Sequence, residues 1–176
     1  VDPTPKLTKL TYQCPTARTG AIPMNGTLTG TETWSDGVTV TYAGAANPTS
    51  RNLDAGTVYT VTFDGTYKFF NSGNLQGCLR SLDHWGMETG AISGMSAFSS
   101  AALLTSVPEH IPPTVTRVEG MFSGATIFND PNISKWDMSN VTSTFQVFIN
   151  AKALNQPLNS WDTSKMTDVG GMFYGA

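Results

Sequence analysis

The sequence predicts an α+β chain, a small N-terminal β-sandwich followed by an α/β solenoid. Three observations predict it. Residues 6–70 alternate apolar and polar side chains in short runs separated by Gly- and Asp-containing turns. From about residue 111 onward, matching residues recur at intervals of 25 or 26: Trp136 and Trp161; Phe122, Phe148 and Phe173; Ala125, Ala151 and Ala176. Self-similarity at such a period marks architectures in which each unit buries its apolar face on the next. Within each unit the apolar residues are spaced by three and four, as on one face of a helix.

Composition narrows the functional classes. The 176 residues carry 10 Lys plus Arg against 13 Asp plus Glu, a formal charge of -3. The basic residues form no run, so neither a nucleic acid nor an anionic membrane surface is an expected partner. No apolar stretch reaches the length of a membrane span. Thr, Ser, Asn and Gly solvate the surface in place of charge. The start, Val1-Asp2-Pro3-Thr4-Pro5, has neither a basic nor an apolar run, as in a mature or trimmed chain. Cys14 and Cys78 are either one disulfide, contributing on the order of 4 kcal/mol through loop closure, or two buried thiols. Export would favour the bridge.

In chain order, residues 6–14 read as a first strand and residues 27–33 as a second, interrupted by Gly30. Asp36-Gly37 turns the chain into a strand with Val38, Val40 and Tyr42 on one face. Residues 57–63 alternate as a further strand, and Asp64-Gly65 is expected to turn into residues 66–70. The segment Trp34-Ser35-Asp36-Gly37, followed by the strand Gly56-Thr57-Val58-Tyr59-Thr60-Val61-Thr62-Phe63, resembles polycystic-kidney-disease-like (PKD) domains. That resemblance implies an immunoglobulin-like sandwich over residues 1–77, as in surface proteins. Asp36, Asp54 and Asp64 are a conceivable calcium trio, but loop aspartates so spread show no convergence of the six to eight oxygens that calcium needs.

Helical spacing appears at Ala91, Ile92, Met95, Phe98 and Ala102; at Val118, Met121, Phe122 and Ala125; at Val141, Phe145 and Phe148; and at Met166, Val169, Met172 and Phe173. Thr114, Asn140 and Ser164 are placed to cap these helices, and Gly124 and Gly175 to end them. Asp137 and Asp162, each following a Trp, are expected to bond backbone amides at a corner. Asn129 and Asn155 recur in the turn after each helix.

The stretch from Val118-Glu119-Gly120-Met121-Phe122 through Phe128-Asn129 to Ile133-Ser134-Lys135-Trp136-Asp137-Met138-Ser139-Asn140-Val141-Thr142 is similar to the repeat of the BspA-like bacterial surface proteins (the DUF285 group). Residues 158–176 match again, and residues 78–102, with Trp85, Met95 and Phe98, look like a degenerate first copy. The resemblance implies a leucine-rich-repeat-like α/β solenoid over residues 78–176, an exported or cell-surface location, and adhesion to host, matrix or neighbouring cells. The chain stops at a unit boundary, so further units, or self-association through an open end, are expected.

No enzyme is expected. His84 and His110 stand in no metal-ligand pair and near no nucleophile elbow. Nothing in the sequence sets the separation of Asp83, Glu88, Glu109 and Glu119 for paired-carboxylate chemistry. No cofactor is implied. The expected binding face is formed by polar residues outside the core spacing: Asn132, Lys135, Lys152, Asn159, Ser160 and Lys165. A host or matrix protein, or a cell-surface glycan, is its expected partner. The rival expectation is a structural spacer or assembly domain of a larger extracellular protein.

Overall fold

The computed structural model describes residues 7–25, 27–45, 47–67, 69–70, 74–86 and 96–176, with the backbone alone for Asn25, Phe69 and Phe70. Glu88, Ala91, Ile92 and Met95 lie outside the described residues. The strands are β1 (Thr8–Gln13), β2 (Arg18–Gly20), β3 (Met24–Asn25), β4 (Leu28–Trp34), β5 (Thr39–Ala45), β6 (Arg51–Leu53), β7 (Val58–Thr66), β8 (Phe69–Phe70) and β9 (Leu79–His84). Five form one antiparallel sheet in the order β5-β4-β7-β1-β9, while β2 pairs with β6 and β3 with β8.

Period-two alternation places the core. Leu10 and Tyr12 of β1 are buried opposite Val61 and Tyr59 of β7. Asp64-Gly65, expected to turn the chain, instead continues β7. Gly65 pairs with Gly30 of β4, and a Cβ on either would collide with the facing backbone. Two glycines let the strands approach where any other pair would force them apart.

The expected PKD/immunoglobulin-like sandwich does not form. Strands β2, β3, β6 and β8 are only two or three residues long and pair as two separate two-stranded ribbons, so no second multi-stranded sheet exists among the described residues to complete a sandwich.

The α+β class and the leucine-rich-repeat-like α/β solenoid are also corrected. The described chain is all-β, without an α-helix, and its only helical segments are short 3-10 turns at Gln76–Cys78 and Pro131–Lys135. Residues 96–176 run as successive turns. Their backbone explains the absence of helix: Ser96, Ser100, Gly120, Gly124, Gln146, Asn150, Gly171 and Gly175 all have positive φ, which interrupts a right-handed helix every fourth residue. Their N–H groups also bond outward. Phe98 donates to Met121, Phe122 to Val147 and Phe148 to Met172, rather than back along the same turn. The apolar spacing of three and four therefore lines the inside of stacked turns.

One hydrophobic core runs from Leu10 and Trp34 in the sheet, through Trp85 and Phe98, to Phe148 and Trp161. Cys14 and Cys78 are disulfide-bonded and fully buried, tying the end of β1 to the start of β9.

A candidate recognition cleft

The chain leaves β9 at His84 and is pinned at once. The hydroxyls of Thr8 and Tyr67 both donate to the carbonyl of Trp85. Gly86, at φ +80, lies so close to Thr8 that a Cβ would clash. The Trp85 ring turns into the core, 5.8 Å from Phe98 and 6.2 Å from Trp136.

Buried and half-buried side chains then fix the segment 107–110. The indole of Trp85 donates to the His110 carbonyl at 2.8 Å, and that of Trp136 to the Pro108 carbonyl at 2.9 Å. The Asn132 amide donates to the Val107 carbonyl at 2.9 Å, and the Val107 N–H donates to Asp130 at 2.8 Å. Asp130 also accepts the Asn132 N–H at 3.0 Å, which orders both partners. Just before this segment, Leu82 donates to Ser106 and Thr105 to Arg80, so the edge of β9 is covered. Four side chains thus hold the loop in place.

Between this segment and β9 lies an open cleft of about 320 Å³, lined by Asp83, His84, Ser106, Glu109, His110 and Asn132 over Val107 and Pro108. His110 is shared with a second hollow of about 270 Å³ whose walls are mostly apolar: Trp85, Gly86, Pro112, Pro113 and Thr114. Charge in the cleft is internally matched. Lys9 pairs with Asp83 at 3.2 Å, and Lys135 with Glu109 at 2.7 Å. The Lys135 ammonium, bonded to Glu109, holds that carboxyl below the usual carboxylate range, with His110 adding a smaller effect. Lys135 also donates to Asn132 at 3.2 Å. Among the described residues no group of three or more His, Cys, Asp or Glu is placed to hold a metal ion.

The expected binding face is divided. Asn132 lines the cleft, and Lys135 is bonded to two of its lining residues, Glu109 and Asn132. The Ser160 hydroxyl donates to the Ser134 carbonyl, with Asn159 exposed beside it. Lys165 donates to Asn140 at 3.1 Å and lies near Asp137 and Asp162. Lys152 is exposed, with no hydrogen-bond or ion-pair partner among the described residues. Asp137 and Asp162 accept the N–H groups of Ser139 and Ser164. The Ser139 side chain first and its N–H second pull Asp137 below its ordinary range, and the Ser164 N–H first and its side chain second do the same for Asp162. Trp161 donates to Ile133 at 2.9 Å, and Phe148 stacks 5.5 Å from Phe122 and 5.7 Å from Phe173. Of the three aspartates weighed for calcium, Asp36 is ion-paired with Arg51 and Asp54 accepts the Tyr59 hydroxyl.

Sequence reasoning set aside His84 and His110 because neither stands in a metal-ligand pair or near a nucleophile elbow. A signal for them was present. An acid–histidine pair occurs twice, Asp83-His84 and Glu109-His110, at the 26-residue interval, and the fold brings the two pairs to one cleft.

No curated protein and no solved structure gives a significant match to the chain. The family model described as a Mycoplasma protein of unknown function, DUF285, matches residues 67–176, more than half of the chain and the whole of the segment that closes the cleft, and the chain belongs to that family.

Proposed function

We propose that this chain is an extracellular recognition module that contacts host, matrix or neighbouring-cell surfaces through the cleft between β9 and residues 106–110. The observation that carries this reading is the preformed loop. With four side chains already holding residues 107–110, a ligand meets an ordered surface and association loses less free energy to loop ordering. The buried Cys14–Cys78 disulfide supports an oxidising location, a bacterial surface or the medium. In this reading the module binds and carries out no chemistry.

The test is a binding panel of glycans and extracellular-matrix proteins with the chain and its Lys135→Ala and Ser106→Ala variants. Saturable binding weakened in both variants supports recognition at the cleft. Absence of binding with the fold intact supports the second reading, a structural spacer. That reading draws on the register-locked backbone bonds joining residues 96–100, 119–124, 145–150 and 170–174, which make a stiff stack.

A further inference from the structure

We infer that the cleft takes an uncharged saccharide, a short stretch of neutral glycan lying across both hollows. This rests on the cleft being the recognition site and adds the chemical class of its ligand.

The first ground is charge. The two carboxylates at the cleft, Asp83 and Glu109, are each matched by a lysine, Lys9 and Lys135. The site offers a charged ligand no uncompensated partner, and such a ligand would have to break an existing pair.

The second ground is the kind of polar group present. Carboxylates carry more lone pairs than one lysine uses, an imidazole presents both a donor and an acceptor, and a serine hydroxyl does the same. Asp83, Glu109, His84, His110 and Ser106 therefore set donors and acceptors side by side. A sugar hydroxyl is itself both donor and acceptor and needs that mixture. An extended peptide needs a free strand edge instead, and the edge of β9 is already occupied by its pairing with residues 105–106.

The third ground is the adjoining hollow. Its apolar walls, with Trp85, Pro112 and Pro113, begin at the His110 boundary where the polar cleft ends. A pyranose ring has an apolar C–H face and a hydroxyl-bearing rim, so consecutive rings fit a site that changes from polar to apolar along its length. The two hollows, about 320 and about 270 Å³, are together of the size of small-molecule sites.

The test is calorimetric titration of the full chain with neutral hexasaccharides (maltohexaose, mannohexaose, xylohexaose and chitohexaose), an acidic hyaluronan hexasaccharide, and matrix proteins. The variants are His84→Ala and His110→Ala, checked by circular dichroism. His110 is exposed, so H110A decides the matter if H84A fails to fold. The expected result is saturable binding of a neutral hexasaccharide, about tenfold weaker in each folded variant, the loss of one or two hydrogen bonds. Binding of the hyaluronan hexasaccharide alone, weakened in the same variants, overturns the uncharged class, and binding of the protein probes alone overturns the saccharide class; either leaves the recognition cleft standing. Binding that both variants leave untouched, or no binding of any probe, overturns both readings.

Discussion

The indole nitrogen of Trp85 donates to the carbonyl oxygen of His110 at 2.8 Å. The residue that follows β9 thereby sets the position of the loop closing the cleft. Trp85 is itself placed by Thr8 and Tyr67, which both donate to its carbonyl, so the sheet dictates the geometry of a site that lies beyond it. Replacing Trp85 by Phe keeps most of the apolar packing and deletes the donor, leaving the His110 carbonyl without its indole partner. A loss of about 1–3 kcal/mol is expected, together with weaker ligand binding. Urea denaturation and titration of the W85F variant measure the two effects.

The disulfide closes a separation of 64 residues, with both cysteines fully buried. Loop-closure entropy gives it about 4 kcal/mol. The Cys14→Ser, Cys78→Ser double variant is expected to lose most of that in denaturant titrations. Because both sulfurs are buried, mild reductant should cleave the native chain slowly and the partly unfolded chain fast, followed by thiol labelling.

Phe148 is fully buried between Phe122 and Phe173, with Trp161 5.9 Å away. Phe148→Ala opens a cavity among three rings whose backbone is tied by the bonds from Phe148 to Met172 and from Phe122 to Val147. A destabilisation of about 3–5 kcal/mol is expected. Thermal melts of the variant read it directly.

Glu32 is a buried carboxylate that accepts from the Trp34 indole and, at 2.6 Å, from the Tyr42 hydroxyl. Burial and that bond push the Tyr42 hydroxyl up to about 12. Glu32→Ala leaves two buried donors without an acceptor and is expected to cost about 3 kcal/mol. Spectroscopic titration should show the Tyr42 transition moving back toward the ordinary tyrosine range in the variant.

Glu119 accepts from the Ser143 hydroxyl and from Arg117, both at 2.6 Å. These bonds hold its carboxyl below the usual range, the Ser143 bond contributing most. A carboxyl depressed in the folded state stabilises above the unfolded value, ordinarily about 4.3. That stabilisation is lost as pH falls through the depressed folded value. The melting temperature of Glu119→Gln should therefore lie below that of the parent chain at pH 7, with the gap closing in acid.

Strand positions were legible because a half-buried strand repeats every two residues whatever its neighbours do. Val58, Thr60 and Thr62 against Tyr59, Val61 and Phe63 show the pattern, and β7 follows it. Its extension through Asp64-Gly65 was not legible, because the preference of Asp-Gly for a turn is local, whereas Gly65 is held in the strand by Gly30 across the sheet.

Helical spacing misled for a related reason. Apolar residues three and four apart show only that a segment is compact and one-sided. Whether its N–H groups bond within the segment or to the next one is decided by φ. Ser96, Ser100, Gln146 and Asn150 adopt positive φ without being glycine, at a strain of roughly 1–2 kcal/mol each that the bonds between neighbouring turns offset.

The sequence alone determined the alternating strands, the low and balanced charge, the recurring aromatic positions and the presence of two cysteines, because each depends on composition or on spacing along the chain. Only the tertiary structure decided that the turns would stack without helix and that Asp83-His84 and Glu109-His110 would face one cleft with Asn132, Lys135 being bonded to Glu109. Those outcomes depend on hydrogen bonds between residues about 25 positions apart, whose geometry exists only once the core from Trp34 to Trp161 has formed.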